Sequence, residues 1–304
     1  MHREPTILRI VKTMRPLPTV AQRVLALVQD PDYAIDDLVS LLKTDPSLVA
    51  RVLRLCNSAC SGFDREITAI GDAVTFVGTR NLVQLTLVSC SAATFAATAR
   101  AAYVEPTALW HHSLACGLLC QELANHVEGV SPGTAFTAGI LHDVGRVALS
   151  QLPAASDPRP AAQGSAPQPH ERLERDVFGQ DHADVAGLVG DHWQLPANLV
   201  AALRGHHADD TLLGEDPLAA MLHVADQMAI QHGFAVPFGK ATAAISPIAL
   251  ARLGLADDLL AALGARAIAE TARTAELLNL EAAASRYTRG SSTSLNEHPW
   301  QRTF

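Results

Sequence analysis

Residues 139–146 read Gly139-Ile140-Leu141-His142-Asp143-Val144-Gly145-Arg146. They sit inside an apolar run, Thr134 to Leu152, whose spacing predicts one central helix. A neighbouring imidazole and carboxylate in such a run need partners, because burying a polar group unpaired costs roughly 2–7 kcal/mol. Hydrogen bonds to other side chains would satisfy them. So would a metal ion, which takes neutral imidazole and carboxylate as ligands. What the rest of the chain can bring to the pair decides between the two.

Outward from this stretch the signals are helical. Apolar residues make up 48 % of the 304 and charged residues 18 %, with aromatics at only 5 %. Ala and Leu dominate and strand-like alternation is scarce, so an all-α fold is expected. The length suits one large domain or two modest ones. Toward the N-terminus, 1–16 reads as a loose lead-in. Helices then follow from Leu17-Pro18-Thr19, from Ile35 to Lys43, from Asp45-Pro46 to Asn57-Ser58, from Ile67 to Val77, and from Thr79 to Thr98. Together they predict an N-terminal helical bundle over 17–100.

A second helical subdomain over 101–287 opens at Glu105-Pro106. Ser131-Pro132-Gly133 is a turn before the central helix. Residues 153–169, rich in Pro, Ala, Ser and Gln, read as a mobile loop. Helices resume over Glu171–Phe178, from Asp181 to Trp193, from Leu195-Pro196 to His206-His207, and from Asp216-Pro217. The last runs from Asp257 to Tyr287. Residues 288–304 read as a disordered tail.

The formal charge of −8 disfavours a dedicated nucleic-acid binder, which needs a basic face. No apolar run reaches the roughly 18 residues of a membrane span. Five cysteines, an odd number, and an N-terminus without an apolar leader point to reduced thiols and a cytoplasmic protein. Cys116 and Cys120 share a helix face with His112. Small apolar core residues are the commoner explanation of such thiols, a metal clip the rarer one.

Thirteen histidines is many for this length. His112, His142, His182, His206 and His207 each fall on or at the end of a predicted helix. With Asp143 and Asp226 they make seven nitrogen and oxygen donors, a mixture suited to iron, manganese, zinc or nickel rather than calcium or magnesium. Facing helices commonly build such a centre, and its metal would lower the pKa of a bound water and polarise a phosphoryl oxygen. Arg146, one turn after His142, is the candidate to engage phosphate. Each residue also has an ordinary explanation: His206-His207 complementing a helix dipole, His182 exposed in a first turn, His112 hydrogen-bonded in a core.

The motif residues resemble the HDOD family, the HD-related output domains of bacterial signalling proteins, over about residues 15–285. In the first half the matching residues are Leu17-Pro18, Asp45-Pro46-Ser47-Leu48, Val52 to Ser58, Ile67, Ile70, Ala73-Val74 and Val77-Gly78. In the second they are Trp110, His112-Ser113, Gly139 to Gly145, Phe178-Gly179, Asp181-His182-Ala183, Trp193, Leu195-Pro196 and His206-His207. The resemblance implies a helical bundle packed on a part similar to HD phosphohydrolases. It also implies a signalling role through protein or ligand binding, without clear catalysis, and a groove between the subdomains as the binding surface. His112, His142, Asp143 and Asp226 match the HD metal motif. His182, His206 and His207 align with a second metal site of the related HD-GYP phosphodiesterases. Departures from those enzymes are Ala108 four residues before His112, Ala208-Asp209-Asp210 after the His pair, and no Gly-Tyr-Pro. No catalytic residue is assigned. The expected partner is a signalling protein. Hydrolysis of a nucleotide or cyclic dinucleotide at the metal site is the alternative. No further module fits outside 15–285, so output would pass through a partner or a diffusible ligand.

Overall fold

The structure is a computed structural model that describes residues 4–27, 30, 32–59, 67–96, 104–152, 169–235 and 244–291. Helices and turns account for them, and no strand occurs among the described residues. The N-terminal group comprises α1 (Glu4–Thr13), α2 (Thr19–Leu27), α3 (Ile35–Leu42), α4 (Pro46–Ala59), α5 (Ile70–Val77) and α6 (Thr79–Ala96). The C-terminal group begins with α7 (Pro106–Ala124), α8 (Pro132–Leu141), α9 (Val144–Leu149) and α10 (His170–Phe178). It continues with α11 (His182–His192), α12 (Ala197–Gly205), α13 (Asp210–Glu215), α14 (Pro217–Gln231), α15 (Pro247–Leu253) and α16 (Asp257–Ser291). No helix among the described residues is long and apolar enough to cross a membrane.

Helix α7 is the axis of the C-terminal half. It is buried nearly all round, from Leu109 to Ala124, as a helix packed on every side must be. Helices α6, α8, α14 and α16 lie against it. Caps fix where these helices start. Glu105 accepts from the backbone N–H groups of Thr107 and Ala108 ahead of Pro106, Ser131 Oγ from Thr134 N at 3.1 Å, and Asp181 Oδ1 from Asp184 N at 2.8 Å. In the N-terminal half Asp45 does the same for α4, accepting from Leu48 N at 3.0 Å. Asn57 then staples the end of α4 to Ile67. Its Nδ2 donates to Ile67 O at 2.9 Å and its Oδ1 accepts from Ile67 N at 2.7 Å. This staple holds Ile67 out of the helix predicted from that residue, so α5 starts only at Ile70.

Three other expectations change. The lead-in is a helix: Ile7, Val11 and Met14 recur at four- and three-residue spacing and are all buried. Helix α1 packs on α9 and α11, so the first residues of the chain belong to the core of the C-terminal half. The central helix is broken: α8 ends at Leu141, His142 and Asp143 form a turn, and α9 begins at Val144. Between the expected helices, Asp210–Glu215 form the short helix α13, capped by Asp209. Helix α16 runs on through Ser291. The loop expected over 153–169 lies outside the described residues except for Pro169, as does the tail from residue 292.

Candidate metal centre

Two close helix approaches bring the donors together. A Cβ at Gly139 would lie 2.6 Å from Cys116 O and from Gly117, so α8 crosses α7 at a distance only glycine allows. That crossing sets His142 beside His112. A Cβ at Gly145 would lie 1.9 Å from His182 O, so α9 rests directly on the start of α11. That contact sets Asp143 beside His182.

The seven donors named from the sequence converge from α7, the α8–α9 turn, the start of α11, the end of α12, and α14. His112, His142, Asp143, His182, His206 and Asp226 are buried, and His207 is nearly so. The tautomer of each imidazole follows from its outer nitrogen. His112 Nδ1 lies 2.7 Å from Phe234 O, His142 Nδ1 2.7 Å from Gly139 O, and His206 Nδ1 2.7 Å from Leu203 O. His182 Nδ1 lies 2.6 Å from Glu174 Oε2, and His207 Nδ1 3.1 Å from Glu171 Oε1. Carbonyls and carboxylates accept only, so all five Nδ1 atoms carry the proton. In the neutral rings all five Nε2 atoms then carry lone pairs, and these face one another.

The inner distances are those of a coordination shell. His112 and His142 Nε2 are 3.2 Å apart, His182 and His207 Nε2 3.0 Å, and His112 Nε2 is 3.0 Å from Asp226 Oδ1. Two nitrogens bound to one ion at about 2.0–2.1 Å stand roughly 3.0–3.4 Å apart. Without a cation such lone pairs repel. His206 Nε2 and Asp143 Oδ2 are buried with no hydrogen-bond partner, another sign of a missing positive centre. These residues therefore fit a metal ion. Outer oxygens that fix the Nδ1 protons are the usual support of imidazole ligands.

The donors form two groups that share Asp143. Its Oδ2 is 3.7 Å from both His112 and His142 Nε2, and its Oδ1 is 3.3 Å from His182 Nε2. The first group gains a donor the seven did not include: Cys116 Sγ lies 3.6 Å from His112 Nε2 and joins His112, His142 and Asp226 in one cluster. Its place one turn after His112 was the available signal. Cys120 stays outside, its Sγ 3.9 Å from Met221 O. His182, His206 and His207 form the second group, and His142, Asp143 and His206 make a third that links the two.

Two residues that sequence reasoning passed over, Glu174 and Glu171, hold the outer side of the second group. Glu174 is fully buried and accepts from His182 N, from His182 Nδ1 and from Arg146 Nη1 at 2.8 Å. The signal was its position on the Leu173–Phe178 face of an otherwise charged helix. Arg146, the phosphate candidate, is buried too. Its Nε donates to Asp143 Oδ1 at 2.8 Å, and its Nη2 lies 3.4 Å from His182 Nε2.

Burial and these neighbours set the protonation states. Burial lowers all five imidazoles, and His206 is held down to about 3 by it and by His142 and His182. His207 and His142 are also lowered. Against burial, the Asp226 hydrogen bond and charge raise His112, and the Glu174 and Asp143 charges raise His182 over the opposing Arg146. Asp143 and Asp226 resist burial's upward push and stay well below the carboxylate range, Asp143 beside Arg146 and Asp226 beside His112. Both carboxylates are thus held in their charged form.

The profile of the HDOD domain family matches residues 14–209, well over half of the chain, a span that holds every donor except Asp226. A Treponema pallidum protein named only as uncharacterised is 26% identical over 193 residues, 63% of this chain and 37% of that protein. The chain therefore spans little more than a third of that curated relative. Among solved structures, an HDOD domain protein of unknown function from Geobacter sulfurreducens superposes with a TM-score of 0.72 at 22% identity, over 90% of this chain and 98% of that one. A candidate phosphohydrolase from Shewanella amazonensis gives 0.64 at 25% identity, over 89% and 96%. A candidate signal transduction protein from Marinobacter aquaeolei gives 0.64 at 20% identity, over 92% and 62%. With helices throughout, the Asn57 staple in its first half and the His142-Asp143 turn at the heart of its second, this chain belongs to the HDOD domain family.

Proposed function

We propose that this chain is a metal-binding signalling domain that acts by binding a protein partner rather than by turnover. The observation that carries the metal part is the set of five outer Nδ1–H donations, which leave five Nε2 atoms facing inward at 3.0–3.2 Å where pairs are in contact. His112, His142 and Asp226, with Cys116 beside them, would hold one ion. His182, His206 and His207 would hold a second, with Asp143 between the two. Iron, manganese, zinc and nickel all suit these donors, and the Cys116 thiol tilts the first group toward zinc.

The regulatory reading is favoured because the cation at the site is spent on the ligand cage. Arg146 clamps Asp143 and Glu174 from inside the core, so it acts as a positioning residue. A second reading, phosphoester hydrolysis, draws on the division of the donors about Asp143, since paired ions about 3.5–4 Å apart are the usual hydrolytic device. Bound metal would supply an activated water there. Elemental mass spectrometry on untagged protein purified without chelator tests the metal part: one or two equivalents are expected in the wild type and none in Asp143→Ala. A phosphoester panel, cyclic dinucleotides included, separates the two readings. Turnover by metal-replete protein that disappears in Asp143→Ala would replace the regulatory reading with the hydrolytic one.

A further inference from the structure

Away from the metal centre, a cavity of about 390 Å³ opens where the two halves meet. Tyr33 and the α6 residues Arg80 and Gln84 form one side. Gln121 of α7 and the start of α8, with Phe136, form the other. Most of the wall is apolar. Polar side chains interrupt it, Asp30, Thr79, Arg80 and Ser131 among them; the side chains of Gln84 and Gln121, residues only 8 % and 6 % exposed, line it as well, and neither amide makes a hydrogen bond to another described residue. Two amides facing one cavity offer a ligand hydrogen bonds that the chain itself does not use.

The chemistry of the walls narrows that ligand. A primary amide offers a donor and an acceptor side by side, and nucleobase edges offer the complement; Gln pairs with adenine in this bidentate way. Half-buried Tyr33 brings an aromatic ring to the same space, the kind of surface on which bases stack, while Phe136 is buried in the wall. Arg80 Nη2 donates to Gln121 O at 3.3 Å and to Asn125 Oδ1 at 3.1 Å. Its Nε and Nη1 hydrogens remain for an anion, beside the positive first turn of the ten-residue α8. The volume lies near the lower end of small-molecule sites, about 300–1,000 Å³, which suits one nucleotide unit rather than two.

We propose that this cavity binds a mononucleotide, with its base edge on Gln84 and Gln121 and its phosphate toward Arg80 and the start of α8. The site is separate from the donors of the metal centre but shares two helices with them. Helix α8 runs from the cavity to His142, and α7 runs from Gln121 back to His112. A bound nucleotide would thus touch both helices that carry the first ligands.

Calorimetric titration of the full, chelator-treated chain tests this, using AMP, GMP, CMP and UMP, their nucleosides, and inorganic phosphate. One-site binding of at least one monophosphate is expected. Gln84→Leu should weaken it at least tenfold while leaving the Tm unchanged or higher, since a leucine replaces an unpaired amide in an apolar wall. Arg80→Ala should weaken the monophosphate and leave the nucleoside unaffected. The proposal fails if no nucleotide or nucleoside saturates the wild type, or if phosphate alone binds as tightly as the nucleotide, which marks an anion site only. It also fails if folded Gln84→Leu binds like wild type. Loss of binding in Asp143→Ala, with Gln84→Leu unaffected, would place the nucleotide at the metal centre and overturn it as well.

Discussion

In the N-terminal half, Gln84 at the cavity aside, the chain answers several of its own polar groups. Asn57 spends its amide on the backbone of Ile67, Thr86 Oγ1 donates to Leu82 O at 2.8 Å, and Arg51 Nε donates to Ser89 Oγ at 3.0 Å. Around them the interior is leucine and valine: Leu38, Leu42, Leu48, Val52 and Leu82 are fully buried. In the C-terminal half, five imidazoles, three carboxylates and a guanidinium meet between packed helices; their outer atoms are satisfied, while two inner ones, His206 Nε2 and Asp143 Oδ2, have no hydrogen-bond partner. Burial of apolar surface explains most of the first half. It does not explain the second, whose inner polar atoms are of the kind a cation would satisfy. The first half is a scaffold in energetic terms, and the second stores a binding site at the expense of its own stability. Damage to each half should therefore look different.

Asp143→Ala should produce the largest effect. It removes the carboxylate that lies between the two donor groups and takes from the buried Arg146 the acceptor of its Nε–H. Removing one partner of a buried ion pair costs about 3–5 kcal/mol. Denaturant unfolding of chelated protein should show that loss, and elemental analysis should show no retained metal. If the substituted protein kept its metal, the shared role of Asp143 would be wrong.

Gly145→Ala comes next. Its methyl would meet His182 O at 1.9 Å, so α9 and α11 must part. Overpacking of this kind costs about 1–3 kcal/mol. The displaced His182 should cost the second group its ion while His112, His142 and Asp226 keep theirs, halving the metal content of a two-metal protein. Equal loss from both groups would mean that the donors act as one cluster.

Much of this was legible in the sequence. The caps and Pro starts at Asp45-Pro46, Glu105-Pro106 and Asp216-Pro217 mark helices that the structure contains, because capping is local chemistry, whereas Ser131-Pro132, read as a turn, caps and opens α8. The seven donors could be named because histidines and acids stand out at helix ends in an apolar chain. Their convergence could not be read, since it depends on how closely Gly139 and Gly145 let helices approach, and spacing says nothing of distance between helices. The break at His142-Asp143 was hidden for a related reason: the apolar run continues through it, and the turn is held by the His142 bond to Gly139 O. Glu174 looked like one more charge on a polar helix until Arg146 and His182 were found against it. Helix α1 was missed because its apolar positions are diluted by charge, although Ile7, Val11 and Met14 all face the core.

Asn57→Ala probes the other half. Two hydrogen bonds to Ile67 are lost, each worth about 0.5–1.5 kcal/mol, so unfolding should show a cost of about 1–3 kcal/mol. Metal content should not change. A fall in metal retention would mean that the staple supports the centre across the boundary between the halves, and that the contrast drawn above is too sharp.

Acid should act through the centre rather than the scaffold, and its sign follows from the histidines. In the unfolded chain an imidazole titrates near 6.5. His206, at about 3, and His207, well below its usual value, stay neutral in the fold, as does His170 at about 4, lowered by burial and Arg146. Below pH 6.5 the unfolded chain takes up protons that these groups refuse, so their contribution to stability falls as the pH drops. His112 and His182 are raised, and their contribution is complete below 6.5 and lost as the pH rises through their folded values. The two sets oppose each other, with three strongly lowered groups against two raised ones. Chelated protein should therefore lose stability only modestly between pH 7 and pH 5. With metal bound, all five ligand imidazoles must be neutral, His112 and His182 included. The opposing contribution disappears, and the loss should steepen by about 1.4 kcal/mol per pH unit for each additional proton. Denaturant midpoints measured across that range, with and without chelator, give the two slopes. Equal slopes would mean that the ion does not sit on the imidazoles, whereas Asn57→Ala should lower both curves in parallel and leave their difference intact.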